Sequence, residues 1–256
     1  SLGPIVVRNM DNPAMFIWQY LFARGIVIFC LLNLYLFFEE GFEFYKNYLK
    51  IGISGIVGGI GLGTAMLTFI WSITHTTVAI TLLCLAAMPF ITALLGFLFL
   101  KEKISISVWM AIIVASIGIV IMAFGNASLG SINGLIFGLA SAVGFSIFSV
   151  SLRWRKETPK FTTVAIAGLF TCLFSLVIII QNDLNFFDSS KNEGLSALHG
   201  TIVCLGLILY SVGSKVIPAA ELTLLSLTEV IGGIFWVWIP ILGINEIPSN
   251  NTIIGG

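Results

Sequence analysis

The feature that most constrains this chain is the recurrence of apolar runs about as long as a lipid bilayer is thick. A helix needs about 20 apolar residues to cross a hydrocarbon core of ~30 Å, at ~1.5 Å per residue. Eight runs have this length, and they cover residues 18–38, 51–73, 77–100, 107–124, 132–152, 162–180, 195–213 and 219–242. We therefore predict an all-α, polytopic membrane protein.

The composition agrees with a membrane protein and argues against other classes. Hydrophobic residues make up 58% of the 256 residues and charged residues only 9%, whereas soluble domains are about 45–50% apolar and about 25% charged. The net charge is zero, so no basic surface for nucleic acid is predicted. The four cysteines lie in apolar runs without metal-ligand spacing. We interpret them as packing residues and predict no metal site.

Both ends of the chain are apolar as well. Residues 1–7 are predicted to be the last turns of a further helix, and another helix is predicted to begin after residue 252. The fold would then have ten helices, eight of them complete here. No cleavable signal peptide is recognisable. We expect the chain to be a fragment that does not transport alone.

Basic residues predict how the helices cross the membrane. Nine of them fall in alternating loops, and these are Lys46, Lys50, Lys101, Lys103, Arg153, Arg155, Lys156, Lys160 and Lys215. The other set of loops holds only Arg8 and Lys191. Because cytoplasmic loops are enriched in Lys and Arg, we predict that residue 1 lies at the outer face. The first complete helix then runs inwards.

A faint internal repeat divides the chain into residues 1–124 and 132–256. The tripeptide Thr-Leu-Leu that begins at Thr81 recurs at Thr223, which is 142 positions later (223 − 81). We interpret the two halves as copies of one five-helix unit.

The loops of the two halves predict that the copies have opposite orientations. The segment FLFLKEKIS at 97–105 resembles ILGINEIPS at 241–249, which places Glu102 opposite Glu246. Glu102 falls in a basic inner loop, and Glu246 falls in an outer loop without Lys or Arg. Two units with an odd number of helices must be inverted, and inverted repeats are typical of transporters with a binding site at mid-membrane.

One long segment resembles the EamA-type proteins of the drug/metabolite transporter superfamily. It is the run TTVAITLLCLAAMPFITALLGFLFLKEKISISVWMAIIVASIGIVIM at 76–122. A helix with a central proline is followed by a short loop with Glu102, and Trp109 then opens a helix with a late glycine, Gly118. The second half is similar, with LLSLTEV where the family often has a Leu/Ser-rich run ending in Glu-Pro. Val230 replaces that proline.

The resemblance implies the fold and the general activity. We expect two inverted five-helix repeats around a central cavity, with both termini of a complete chain inside. Such proteins carry small metabolites, and we expect export of compounds such as amino acids by alternating access. The expected location is the bacterial inner (plasma) membrane, as a multi-pass protein. The expected partners are a small-molecule substrate and the lipid bilayer, with a homodimer left open, and no cofactor is expected.

Glu229 is the residue that most favours a functional site. It lies ~15 Å along the predicted helix 219–242, near the middle of the bilayer, where a charge costs at least about 2.5–3.5 kcal/mol. It shares one helical face with Leu222, Ser226, Gly233, Trp236 and Pro240. We predict that this face lines a cavity. Three alternatives stay open for Glu229, namely binding of a cationic group, proton carriage, and hydrogen bonding between helices.

Arg24 is the one basic residue inside an apolar run. Its side chain is long enough to reach the outer interface, which is the structural interpretation. The functional interpretation pairs it with Glu229 or with an anionic group of the substrate. A Glu–Arg pair in a cavity would fit a zwitterionic substrate such as an amino acid.

Four further residues are weaker candidates. Pro89 removes a backbone hydrogen bond near mid-membrane, so it either kinks the helix or shapes the cavity. Trp71 and Tyr210 are candidates for stacking against a ring of the substrate, although Trp71 also fits an interfacial belt. Asn33 is deep enough to need a partner, from another helix or from the substrate. His75 and His199 are assigned no role.

Rival functional classes are less well supported. A membrane enzyme would need a polar cluster such as HExxH or GxSxG, and a channel would need charged rings or a filter loop. The sequence has neither pattern, so we do not expect an enzyme. A structural membrane protein remains an alternative, but it gives no reason for a carboxylate at mid-membrane.

Overall fold

The structure, a computed structural model, describes residues 2–102, 105–125, 132–155, 157–187, 189–239, 250 and 254, and this part is helical without β-strands. The helices are α1 (Gly3–Arg8), α2 (Ile17–Glu40), α3 (Tyr45–Leu49), α4 (Gly52–His75), α5 (Val78–Leu85), α6 (Met88–Leu95), α7 (Ile106–Gly125), α8 (Ile132–Trp154), α9 (Lys160–Gln181), α10 (Ser190–Gly213) and α11 (Ala219–Trp238). A 3₁₀ turn, Gly41–Phe44, joins α2 to α3, and a π-helical turn, Gly96–Leu100, follows α6.

The predicted all-α membrane fold is confirmed. Six apolar helical segments in the described residues are long enough to span a bilayer, and these are Ile17–Leu49, Gly52–His75, Val78–Leu100, Ile132–Trp154, Lys160–Gln181 and Ser190–Gly213. Helices α7 and α11 have 20 residues each, which corresponds to ~30 Å. The ten-helix repeat stays a prediction. Residues 240–249, which include Pro240 and Glu246, and most residues after 250 lie outside the described part.

Helix α10 begins at Ser190, five residues before the predicted start at 195. The hydroxyl of Ser189 accepts a hydrogen bond from the backbone N–H of Asn192, and Glu193 lies in the first turn. A capping hydroxyl and an early carboxylate both stabilise a helix N-terminus. The apolar pattern misses this turn because its residues are polar.

The helix predicted over 77–100 is not continuous. It is interrupted at Ala86–Ala87, between α5 and α6, where Ala87 N–H bonds to the Cys84 carbonyl in a tight turn. The physical reason is Pro89, the second residue of α6, which has no N–H to donate to the Leu85 carbonyl. The two halves still form one apolar span.

The helices pack in a pattern that pairs the two halves of the chain. Helix α2 packs along α9, and α11 packs on α5 and α6. Helix α4 packs on both α9 and α8, while α10 packs on α2 and, more weakly, on α1. Each half therefore contributes helices to one shared core.

A close backbone contact between the halves joins Gly25 of α2 to Gly168 of α9. A β-carbon placed on Gly25 would lie 2.7 Å from the Gly168 carbonyl oxygen, and one placed on Gly168 would lie 2.9 Å from the Gly25 carbonyl oxygen. Only residues without a side chain allow this approach, as is usual between membrane helices. Gly59 and Gly63 of α4 likewise lie against Ile166 and Phe170 of α9.

We expect Gly25→Ala to lower the free energy of unfolding by about 1–3 kcal/mol, because the added methyl group overlaps backbone atoms that cannot rotate away. The measurement is the melting temperature of the purified protein in detergent, followed by size-exclusion chromatography. The control is Gly194→Ala in α10, where a β-carbon meets no atom within 4 Å. Equal melting temperatures for the two variants would contradict the contact.

Candidate substrate-binding site

A cavity of about 650 Å³ lies among α2, α4, α8, α10 and α11, within the size range of small-molecule sites. Most of its wall is apolar and includes Leu62, Met66, Phe69, Met88 and Phe145. The polar groups that face it come from several helices and include Arg24, Ser141, His199, Tyr210, Ser226 and Glu229. An apolar wall with a few convergent polar groups is the usual form of a ligand site.

Four of the seven predicted site residues line this one cavity. They are Arg24, Tyr210, Ser226 and Glu229. They come from α2, α10 and α11, so the fold brings together residues that lie up to 205 positions apart (229 − 24). Within the described residues, no group of His, Cys, Asp or Glu side chains is placed to hold a metal ion.

Arg24 is buried, with 2% of its surface exposed. One terminal nitrogen donates to the Tyr20 hydroxyl at 3.5 Å and the other to the Met66 carbonyl at 3.2 Å. The guanidinium carbon lies 5.4 Å from the centre of the Tyr20 ring, a distance that allows cation–π attraction. Arg24 makes no ion pair with a carboxylate of the described residues, so neither snorkelling nor pairing with Glu229 describes its position.

Glu229 lies at the eleventh residue of α11 and faces the cavity with Ser226. Leu222, Leu225 and Thr228 also contribute to the wall. The predicted cavity face of this helix is therefore correct at Leu222, Ser226 and Glu229.

Farther along α11 the same face leaves the cavity. A β-carbon on Gly233 would lie 2.5 Å from the Leu82 side chain, so Gly233 packs against α5. Trp236 is exposed. The cavity thus ends within two turns of Glu229, because α5 covers the next part of the helix.

Tyr210 forms the aromatic part of the cavity wall. Its ring packs edge-on against Phe145 at 5.1 Å and is stacked with Phe148 at 5.9 Å. Its hydroxyl is hydrogen-bonded to the Ser149 hydroxyl, so the ring is fixed in position. A rigid aromatic surface of this kind suits an apolar substrate group.

Three predicted site residues do not line the cavity. Pro89 is buried in α6 and acts on the cavity only through the break, whose neighbours Leu85 and Met88 are part of the wall. Trp71 packs against Trp18 and His75. Asn33 accepts a hydrogen bond from the Tyr48 hydroxyl of α3 and donates to the Phe29 carbonyl of its own helix.

His199 is a polar residue of the wall to which the sequence alone assigns no role. It is 3% exposed, lines the cavity and is hydrogen-bonded through Nδ1 to the Tyr20 hydroxyl. A single histidine near a helix end carries no pattern of its own. A helical wheel of α10 would have placed His199 on the side of Val203, Gly206 and Tyr210, which all line the cavity.

Known proteins resemble this chain in both sequence and fold. The sequence model of the EamA-like transporter family matches residues 2–124. The "Uncharacterized transporter YojE" of Bacillus subtilis (strain 168) is 24% identical over 237 residues, which are 88% of this chain and 76% of that protein. These two matches support a membrane transporter of the EamA type. The family match covers the first half of the chain, and the similarity to the Bacillus protein extends into the second half.

A solved crystal structure has the same fold as this chain. It superposes with a TM-score of 0.62 and covers 93% of this chain and 82% of the other, at 17% sequence identity. At such identity the similarity shows the fold alone.

We expect Tyr48→Phe to lower the free energy of unfolding by about 0.5–1.5 kcal/mol, because Asn33 loses its hydrogen-bond donor. Substrate affinity should not change, since both residues lie away from the cavity. Tyr45→Phe is the matched control, because Tyr45 is exposed. Melting temperature and transport kinetics are measured together. A changed KM in Tyr48→Phe alone would place Asn33 on the transport path.

Proposed function

We propose that this chain is a secondary transporter that exports small organic metabolites, amino acids among them, by alternating access. The observation that carries the proposal is the cavity itself. A carboxylate, Glu229, and a guanidinium, Arg24, face one largely apolar space of about 650 Å³ inside a membrane protein. Charged groups at such a depth are costly and are typical of substrate or ion pathways.

The packing pattern supports the inverted repeat on which alternating access depends. In the proposed repeat, α1 corresponds to α8, α2 to α9, α4 to α10, and α5 with α6 to α11. A symmetric repeat requires that each contact between two helices recurs between their counterparts. The contact of α4 with α9 therefore requires a contact of α10 with α2, and the contact of α4 with α8 requires one of α10 with α1. All four contacts occur. Inverted repeats of this kind move against each other around a central site in secondary transporters.

A polar contact joins several helix ends at the side that we predict to be cytoplasmic. Arg153, at the end of α8, donates to the Glu102 carboxylate at 3.1 Å and to the Ile217 carbonyl at 2.7 Å. Glu102 follows the first-half helix α6 and its π-helical turn, and Ile217 precedes α11. One side chain thus links the inner ends of α6 and α11, which pack on each other and correspond in the proposed repeat. We interpret this link as an inner gate.

We expect Glu229→Gln to abolish transport and leave the folded protein intact, because glutamine keeps the shape but not the charge. The measurement is the exchange of radiolabelled amino acids by the full-length protein in proteoliposomes. Glu221→Gln is the matched control, since Glu221 lies on the same helix but outside the cavity. Wild-type exchange rates in Glu229→Gln would refute the role of this carboxylate.

We expect Arg153→Ala to favour the state that opens to the cytoplasm, because the gate loses its hydrogen bonds. A maleimide applied from that side should label a Ser226→Cys reporter about fivefold faster, the effect of losing ~1 kcal/mol. Cys30 is exposed and is first replaced by Ser, whereas the other three cysteines are buried.

Arg155→Ala is the control for this experiment, because Arg155 is a neighbouring and exposed arginine. It should leave the labelling rate unchanged. Equal rates in both variants would show that Arg153 has no part in closing the cavity.

A further inference from the structure

Three side chains from α2 and α10 form a buried polar cluster at the end of the cavity where both helices begin. They are Tyr20, Arg24 and His199, with 1%, 2% and 3% of their surface exposed. Gly200 permits the close approach of the two helices here, since a β-carbon on it would lie 3.3 Å from the Arg24 Cα. Arg24 and His199 both line the cavity.

The hydrogen bonds of this cluster have a defined direction. A guanidinium only donates, so Arg24 donates to the Tyr20 oxygen. Within the described residues, the only acceptor in contact with the Tyr20 hydroxyl is Nδ1 of His199. When Tyr20 donates to this nitrogen, the proton of the neutral imidazole lies on Nε2. The cluster therefore presents only donors to a ligand, from the guanidinium and from Nε2 of His199.

Arg24 keeps unused hydrogen-bonding capacity. Its two bonds, to Tyr20 and to the Met66 carbonyl, occupy two of the five N–H groups of the guanidinium. Its Nε is buried and has no partner among the described residues. A buried cation without a counter-charge is unfavourable, and an anion that supplies both the charge and the acceptors would relieve this cost.

We propose that Arg24, Tyr20 and His199 form a subsite for the carboxylate of a zwitterionic substrate. Arg24 binds the carboxylate, and Tyr20 and His199 position Arg24 and extend the donor surface. The inference deepens the proposed transport function by naming the head group that this end of the cavity takes. It gives His199, so far without a role, a part in substrate selection.

The charges in the cavity favour a carboxylate over a phosphate ester. One guanidinium balances a single negative charge, and the second charge of a phosphate dianion would remain uncompensated beside an apolar wall. The carboxylate of Glu229 faces the same space and adds to this repulsion. The same carboxylate would attract an ammonium group on a substrate whose carboxylate binds Arg24, which is why we name a zwitterion.

Three probes that share an isobutyl group separate these contributions. L-Leucine has both head groups, leucinamide lacks the carboxylate, and 4-methylpentanoate lacks the ammonium group. Dissociation constants are measured by calorimetry on the full-length protein in detergent. We expect leucine to bind at least about tenfold more tightly than leucinamide, as charge-assisted hydrogen bonds to a carboxylate require.

Variants of the positioning residues test the cluster itself. Tyr20→Phe keeps the ring next to Arg24 but removes the hydroxyl, and His199→Phe removes both ring nitrogens. Each should weaken binding of leucine and 4-methylpentanoate about fivefold or more, the loss of one hydrogen bond worth ~1 kcal/mol. Binding of leucinamide should change less than twofold. A purely structural role would weaken all three probes alike.

Tyr35→Phe is the matched control, since Tyr35 lies on the same helix and bonds to Glu39 outside the cavity. It should leave the affinity for each probe unchanged. The subsite is refuted if wild-type protein binds leucine and leucinamide equally, a result that needs no variant. It is also refuted if Tyr20→Phe and His199→Phe keep the wild-type ratio of affinities.

Different experimental results would refute the proposed subsite and the proposed transport function. Carboxylate-dependent binding without exchange in proteoliposomes would refute the proposed transport of amino acids and support the subsite. Exchange of amino acids with unaltered discrimination in the two variants would support transport and refute the subsite.

Discussion

The contact between the backbones of Gly25 and Gly168 determines where Arg24, the buried cation of the cavity wall, lies. It holds α2 against α9 at a distance that no side chain would permit. Arg24 is the neighbour of Gly25, so the tight seam fixes the position of the arginine at the edge of the cavity. Gly200 brings α10 to the other side of Arg24. Small residues thus set how closely the helices approach here, and hydrogen bonds to Tyr20 and to the Met66 carbonyl then hold the Arg24 side chain.

The two glycines of this seam also relate the halves of the chain. They lie 143 positions apart (168 − 25), and the Thr-Leu-Leu repeat has a shift of 142. If the repeat is correct, Gly25 and Gly168 are equivalent residues that contact each other across the pseudo-symmetry axis. A contact between equivalent residues is self-complementary. Such a contact is preserved when the two halves exchange their conformations.

The sequence predicts the spans of this fold well because a bilayer leaves few alternatives to apolar helices. It also predicts the cavity face of α11, since a carboxylate in an apolar helix must face away from lipid. It predicts Asn33 and Trp71 less well. Both side chains are of types that occur in binding sites. In the structure, however, Asn33 is hydrogen-bonded to Tyr48, and Trp71 packs against Trp18. Which partner a buried group finds depends on packing between helices, and one sequence does not contain that information.

His199 is a residue that the sequence does not indicate, for the same reason. Its proposed role depends on Tyr20 and Arg24, which are 179 and 175 positions away (199 − 20 and 199 − 24). No spacing within α10 encodes that encounter. It follows from the seam between α2 and α9 and from Gly200, so the polar cluster is a consequence of packing and not of a motif.

The helices that carry Pro89 and Glu229 differ at corresponding positions near mid-membrane. With the shift of 142, Glu229 corresponds to Ala87, the residue at the break between α5 and α6. The first half interrupts its helix there, and the second half keeps its helix and inserts a carboxylate. Helix α11 packs on both α5 and α6, so the break and the carboxylate belong to one helix pair. In the proposed transporter, one member of this pair can bend while the other presents the charge. The two repeats would then share a fold but divide its functions, because a single helix with both features would lose backbone hydrogen bonds at the point where it must hold a charge at mid-membrane.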